Sequence, residues 1–249
     1  MPDAPADPGA PPDLSPEAVT SAWSERLRSF ADDPPPPQRA QLRRTSAALR
    51  RIVHRLHGSA APVDELSGMA DELERLAATL EGFPAGSLYE GFAESTLAGL
   101  DPNAFFDHSP MLGVANPLAP PISIRHDGDV IRATATFGSA YEGPPGCVHG
   151  GYIAAAFDEV LGTTQSLGGR PGMTGRLSVD YRSPTPLNTE LRFEGRVERV
   201  ERRKTFTVAT LHAGDRLCAE AQGLFVAIDF AKMMELRLRR PEHVPPPPG

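Results

Sequence analysis

The stretch Gly143-Pro-Pro-Gly-Cys-Val-His-Gly-Gly-Tyr-Ile-Ala-Ala-Ala-Phe-Asp158-Glu159 decides the fold. A glycine-rich turn leads straight into an alanine-rich helix, predicted over residues 150–165. A helix that is apolar on most sides has to be wrapped by other structure. The chain after it is strand-like. Leu177, Val179 and Tyr181 alternate with polar neighbours, and Leu191, Phe193, Gly195 and Val197 alternate with Glu190, Arg192, Glu194, Arg196 and Glu198. Residues 205–211 and 217–228 read as further strands, separated by Ala213-Gly214-Asp215, and residues 130–137 read as a half-polar strand ahead of the helix. Consecutive strands with short turns favour antiparallel pairing. The expectation is an α+β fold, with an antiparallel sheet wrapped around one central helix.

Proline marks the linkers on either side of this stretch. The 27 prolines cluster near residues 2–16, 34–37 and 245–248. The chain divides into a disordered tail over 1–14, a helical extension over 15–99, the sheet-and-helix domain over 100–230 and a C-terminal tail over 231–249. Ser15-Pro16-Glu17 is a helix start, with serine as N-cap and proline in the first turn. Val19, Ala22, Trp23, Leu27 and Phe30 then share one face. A second helix is predicted over 38–57, using Leu42, Leu49, Ile52, Val53 and Leu56, and a third over 63–80, using Leu66, Met69, Leu73, Leu76 and Leu80. The second is basic and the third acidic, which reads as a hairpin whose charges complement each other, with a nucleic-acid-binding helix as the alternative.

The formal charge of −7 argues against a nucleic-acid partner, which needs a basic face. Cys147 and Cys218 allow at most one bridge, so no disulfide framework is expected. The start lacks a basic-then-apolar signal region. The most apolar window, 148–167, carries His149, Asp158 and Glu159, so membrane insertion is not expected and a cytoplasmic location is.

The same stretch carries the chemistry. The first N–H groups of a helix have no internal partners and sit at the positive end of its dipole, where an oxyanion is stabilised. Asp158 lies two turns on, flanked by the small residues Ala154, Ala155 and Gly162. Its eight-residue separation from Gly150 is about 12 Å at 1.5 Å per residue. One carbonyl cannot touch both within a single chain. Two copies related by a two-fold axis, each lending its aspartate to the other's helix start, would build a composite site. His149 reads as orienting the turn, and Glu159 as pointing away from Asp158. Cys147 beside His149 is a weak thiol-nucleophile pattern with no partner acid. Asn116-Pro117 is placed at the pocket mouth.

Val148-His149-Gly150-Gly151, with an aspartate nine residues after the histidine, resembles the PaaI-type hotdog thioesterases and is similar to the human-type thioesterase superfamily enzymes. The later run from Met173 through Thr174 to Tyr181-Arg182-Ser183-Pro184 resembles the family's next block. The resemblance covers residues 105–230 and implies a hotdog fold that hydrolyses acyl-coenzyme A. It further implies that the Gly150 N–H, helped by Gly151, polarises the thioester carbonyl. Asp158 from the facing subunit is then general base or nucleophile, and Thr174 holds the water or the carboxylate. Arg203 and Lys204 sit where the family places basic residues near the coenzyme A phosphates, and Asn116 joins them as a substrate-binding candidate. The implied assembly is a homodimer or a dimer of dimers. No metal or separate cofactor is implied, coenzyme A being part of the substrate. The alternatives are an acyl-coenzyme A sensor without turnover and a hydratase acting on the acyl chain.

Overall fold

The computed structural model describes residues 35, 37–83, 107–169 and 172–227. The expected helix from Ser15, the end of the helical extension over 84–99 and the C-terminal tail lie outside them. Helix α1, Pro37–Leu56, and helix α2, Val63–Glu81, match the second and third predicted helices to within a residue at each end. Then come β1 (Ser123–Asp127), β2 (Val130–Thr136), a 3-10 turn (Ser139–Tyr141), the central helix α3 (Gly150–Gln165), β3 (Gly172–Tyr181), β4 (Glu190–Glu201), β5 (Lys204–Ala213) and β6 (Arg216–Ala227).

The six strands form one antiparallel sheet in the order β1-β2-β4-β5-β6-β3. Helix α3 lies across β2 to β6. It buries Ile153, Ala156, Phe157, Val160 and Leu161 against Ile131, Leu191, Phe193, Leu211 and Phe225, with Phe157 edge-on to Phe193 at 5.5 Å. This is the hotdog arrangement. The approach of helix to sheet depends on Gly195 in β4, where a Cβ would sit 2.3 Å from the Thr164 hydroxyl oxygen. Strand β1 was not anticipated. Ile124 is its one large apolar residue, and the strand is an exposed edge, so no alternation was visible. Its signal was Gly128-Asp129, a two-residue hairpin turn with Gly128 at φ +59°.

The role of α1 differs from expectation. Among the described residues its salt bridges are made with Asp107, not with α2. Arg39 and Arg43 reach that buried carboxylate at 3.3 and 2.9 Å. Arg50 donates to the carbonyls of Asn116 (2.7 Å) and Val114 (2.9 Å), and buried Ser46 donates to that of Ala115. Helix α2 buries no residue, and its acids face solvent, where an ion pair contributes little. Helix α1 is thus packed on the loop that leads into the sheet.

Candidate active site

The loop before α3 is held by backbone bonds within itself and to residues 185 and 187. Gly143 N–H donates to the Cys147 carbonyl, Val148 N–H to Thr185, and Leu187 N–H to Gly146, at 2.9 to 3.1 Å. Gly146 has φ +73°, a conformation that favours glycine, and its N–H donates to the Glu142 carboxylate. His149 then caps α3. Its Nδ1 accepts from the Gly151 N–H at 3.0 Å, so the Gly151 N–H is taken up by the cap. The Gly150 N–H, first in the helix, has no intrahelical acceptor. Tyr181, at the far end of β3, donates to the Gly150 carbonyl at 2.7 Å, a contact the sequence did not reveal.

Asp158 is exposed, and Thr174 Oγ1 donates to its carboxylate at 2.8 Å. The structure therefore brings Asp158 and Thr174 together and leaves Gly150 eight helical residues away, about 12 Å. A β-bulge between Thr174 and Arg176 re-aims that end of β3. Strand β3 is a sheet edge, with Met173 and Tyr181 65% and 54% exposed. Lys204 pairs with Val226, which pairs with Met173. At about 4.8 Å per strand, the basic turn is roughly 10 Å from the Thr174 end. Arg202 in that turn has φ +53°, and Arg203 donates to the Ala227 carbonyl at 2.9 Å. Asn116 lies on the loop against which α1 packs. Its side chain donates to the His108 carbonyl and accepts from the Leu118 N–H, so it builds the loop.

Glu159 is the residue sequence reasoning undervalued. It turns inward, and the Ser109 hydroxyl lies 3.4 Å from its carboxylate. Burial, and then the neighbouring Asp158 charge, push its pKa up to about 7. Its adjacency to Asp158 in an apolar helix was the available signal. Among the described residues no group of three or more His, Cys, Asp or Glu is placed to hold a metal ion. No helix there is long and apolar enough to cross a membrane.

The family model for the thioesterase superfamily matches residues 145–220, from the glycine-rich loop to β6. A solved crystal structure of a thioesterase superfamily protein is 34% identical, covers 74% of this chain and 94% of its own, and superposes with a TM-score of 0.65. This chain belongs to the thioesterase superfamily. Among curated members, acyl-coenzyme A thioesterase THEM4 of Xenopus laevis is 38% identical over 93 residues, covering 36% of this chain and 42% of the relative. Acyl-coenzyme A thioesterase THEM5 of Homo sapiens is 29% identical over 95 residues, covering 37% and 38%. The chain therefore spans about two fifths of the length of the curated thioesterases it matches.

Proposed function

We propose that this thioesterase superfamily member hydrolyses acyl-coenzyme A to the free acid and coenzyme A. We further propose that its working unit is a homodimer or a dimer of dimers, with residues 100–230 as the catalytic unit. The observation that carries the reading is the Asp158–Thr174 pair on an exposed face beside an open edge strand. The names of the curated relatives support the substrate class. An exposed edge strand is a template for pairing with a second copy. A two-fold axis at that edge would set the partner subunit's Asp158 opposite the Gly150 N–H.

In that arrangement the thioester carbonyl oxygen accepts from the Gly150 N–H, which stabilises the charge that develops on it. Asp158 takes a proton from water as the water oxygen attacks the carbonyl carbon. The tetrahedral intermediate then expels the coenzyme A thiolate, which takes up the proton. Direct attack by the Asp158 carboxylate, through a mixed anhydride that water then cleaves, uses the same groups. Thr174 fixes the carboxylate in either route. Arg203 and Lys204 are assigned to the phosphates of coenzyme A.

Free-thiol release from a panel of short, long and aromatic acyl-coenzyme A esters tests the proposal. Asp158→Asn keeps the size and removes the charge, so the rate is expected to fall by about 10²-fold or more. Binding of acyl-coenzyme A with no thiol release by the wild type would favour a sensor. Removing Arg203 and Lys204 together is expected to raise KM for acyl-coenzyme A while leaving kcat and the KM of a pantetheine thioester nearly unchanged. Equal KM effects on the two substrates would remove the phosphate assignment.

A further inference from the structure

Helix α1 reaches the start of α3 through a short chain of contacts. His54 near its C-terminus lies against the 139–141 turn. The Ala140 N–H donates to His54 Nδ1 at 3.2 Å, and the Ser139 hydroxyl donates to the His54 carbonyl at 2.8 Å. Gly138 leaves the room, since a Cβ there would sit 2.7 Å from the imidazole. The ring meets Tyr141 edge-on at 5.4 Å, and Tyr141 meets Tyr152, in the first turn of α3, at 4.9 Å. The Tyr141 carbonyl accepts the His149 N–H at 2.9 Å, and the Tyr141 hydroxyl donates to the Leu118 carbonyl at 3.0 Å. The 139–141 turn is therefore the support on which the residue before Gly150 rests. We infer that His54 is a positioning residue for the Gly150 turn, docking α1 onto residues 139–141 through an unprotonated Nδ1.

An Nδ1 that accepts an amide proton cannot itself carry one, so the ring is neutral with its hydrogen on Nε2. Protonation would set two donors against each other. The groups facing the ring agree with a neutral form. Arg50 on α1 repels a second positive charge, and the turn presents Tyr141, which burial keeps un-ionised. Burial first and Arg50 second hold His54 below the ordinary histidine value. Because the folded value is depressed, this docking is complete above the ordinary value of 6.5 and is lost as pH falls through the lowered one.

The test compares wild type, His54→Phe (a ring without the acceptor) and His54→Asn (an acceptor that takes no proton). Two quantities are read in the full chain: amide-exchange protection at Ala140 and His149 against pH, and kcat and KM for an acyl-coenzyme A. In the wild type, protection at Ala140 is expected to fall on acidification. In His54→Asn it persists, and in His54→Phe it is missing at every pH. The expected kcat loss in His54→Phe is about tenfold with KM changed less than about twofold, and His54→Asn restores most of it. Unchanged protection in His54→Phe overturns the inference, as does unchanged kcat once protection is lost, or equal losses in both variants. Should His54→Phe not fold, Ser139→Ala removes one docking bond alone. Reduced protection at Ala140 then supports the docking and unchanged protection overturns it. The kinetic arm rests on the thioesterase reading. A wild type that releases no thiol sinks that reading, and the exchange arm still decides whether His54 holds the turn.

Discussion

Asp158 and Glu159 are neighbours in the chain with opposite surroundings. Asp158 faces outward to Thr174, while Glu159 is half-buried near Ser109 with its pKa raised to about 7. Between the ordinary value of 4.5 and about 7, the folded chain keeps a proton that the unfolded chain has released. The stability that Glu159 contributes is therefore fully present below 4.5 and is lost as pH rises through 7. Glu159→Gln fixes the neutral shape, so at pH 8 it should be more stable than wild type by about 1–3 kcal/mol. That gain should shrink to nothing near pH 4.5 in urea melts, and a gain independent of pH would mean that the buried carboxyl is not the cause. His149, Gly150 and Asp158 were legible because their relation is local, set by helix geometry over nine residues. The surroundings of Glu159 were not legible, because its partner Ser109 is 50 residues away in sequence. The Tyr181 contact with Gly150 spans 31 residues and was hidden for the same reason.

At the scale of elements, periodicity located α1, α2 and α3 closely, and alternation located β2 to β6. Period alone reports which face is apolar, not what covers it. The arginines of α1 read as half of a charged hairpin, yet their partner is Asp107, 2% exposed in side chain and reached by both Arg39 and Arg43. Asp107 also accepts the Ala115 N–H on its carbonyl, so it closes the loop that carries Ser109. Asp107→Ala removes the buried anion that Arg39 and Arg43 both reach and is expected to cost about 2–4 kcal/mol. Chemical denaturation reads this directly. A loss within about 0.5 kcal/mol would mean that α1 is held by other contacts. A chain beginning near Leu100 is expected to melt at a lower urea concentration than wild type, since Ser46, Arg50 and His54 would no longer bond residues 114–116 and 139–140.

At the scale of the molecule, the proposed composite site is a consequence of distance. Gly150 and Asp158 sit at points of one rigid helix about 12 Å apart, and no motion of α3 brings them to one carbonyl. The exposed β3 edge and the exposed Asp158 are what a second copy would complete. Two inactive variants test this. Gly150→Pro removes the oxyanion N–H, and Asp158→Asn removes the carboxylate charge. In a mixed dimer, one site holds the intact Gly150 of one copy and the intact Asp158 of the other, and the second site holds both defects. Random pairing makes about half the dimers mixed with one working site each, so co-refolding should restore roughly a quarter of wild-type thiol release. Gly150→Pro is first shown by size and circular dichroism to fold and pair. With that established, return of about a quarter of the activity is the expected result. Activity that stays at the level of the separate variants would contradict a site shared between two copies.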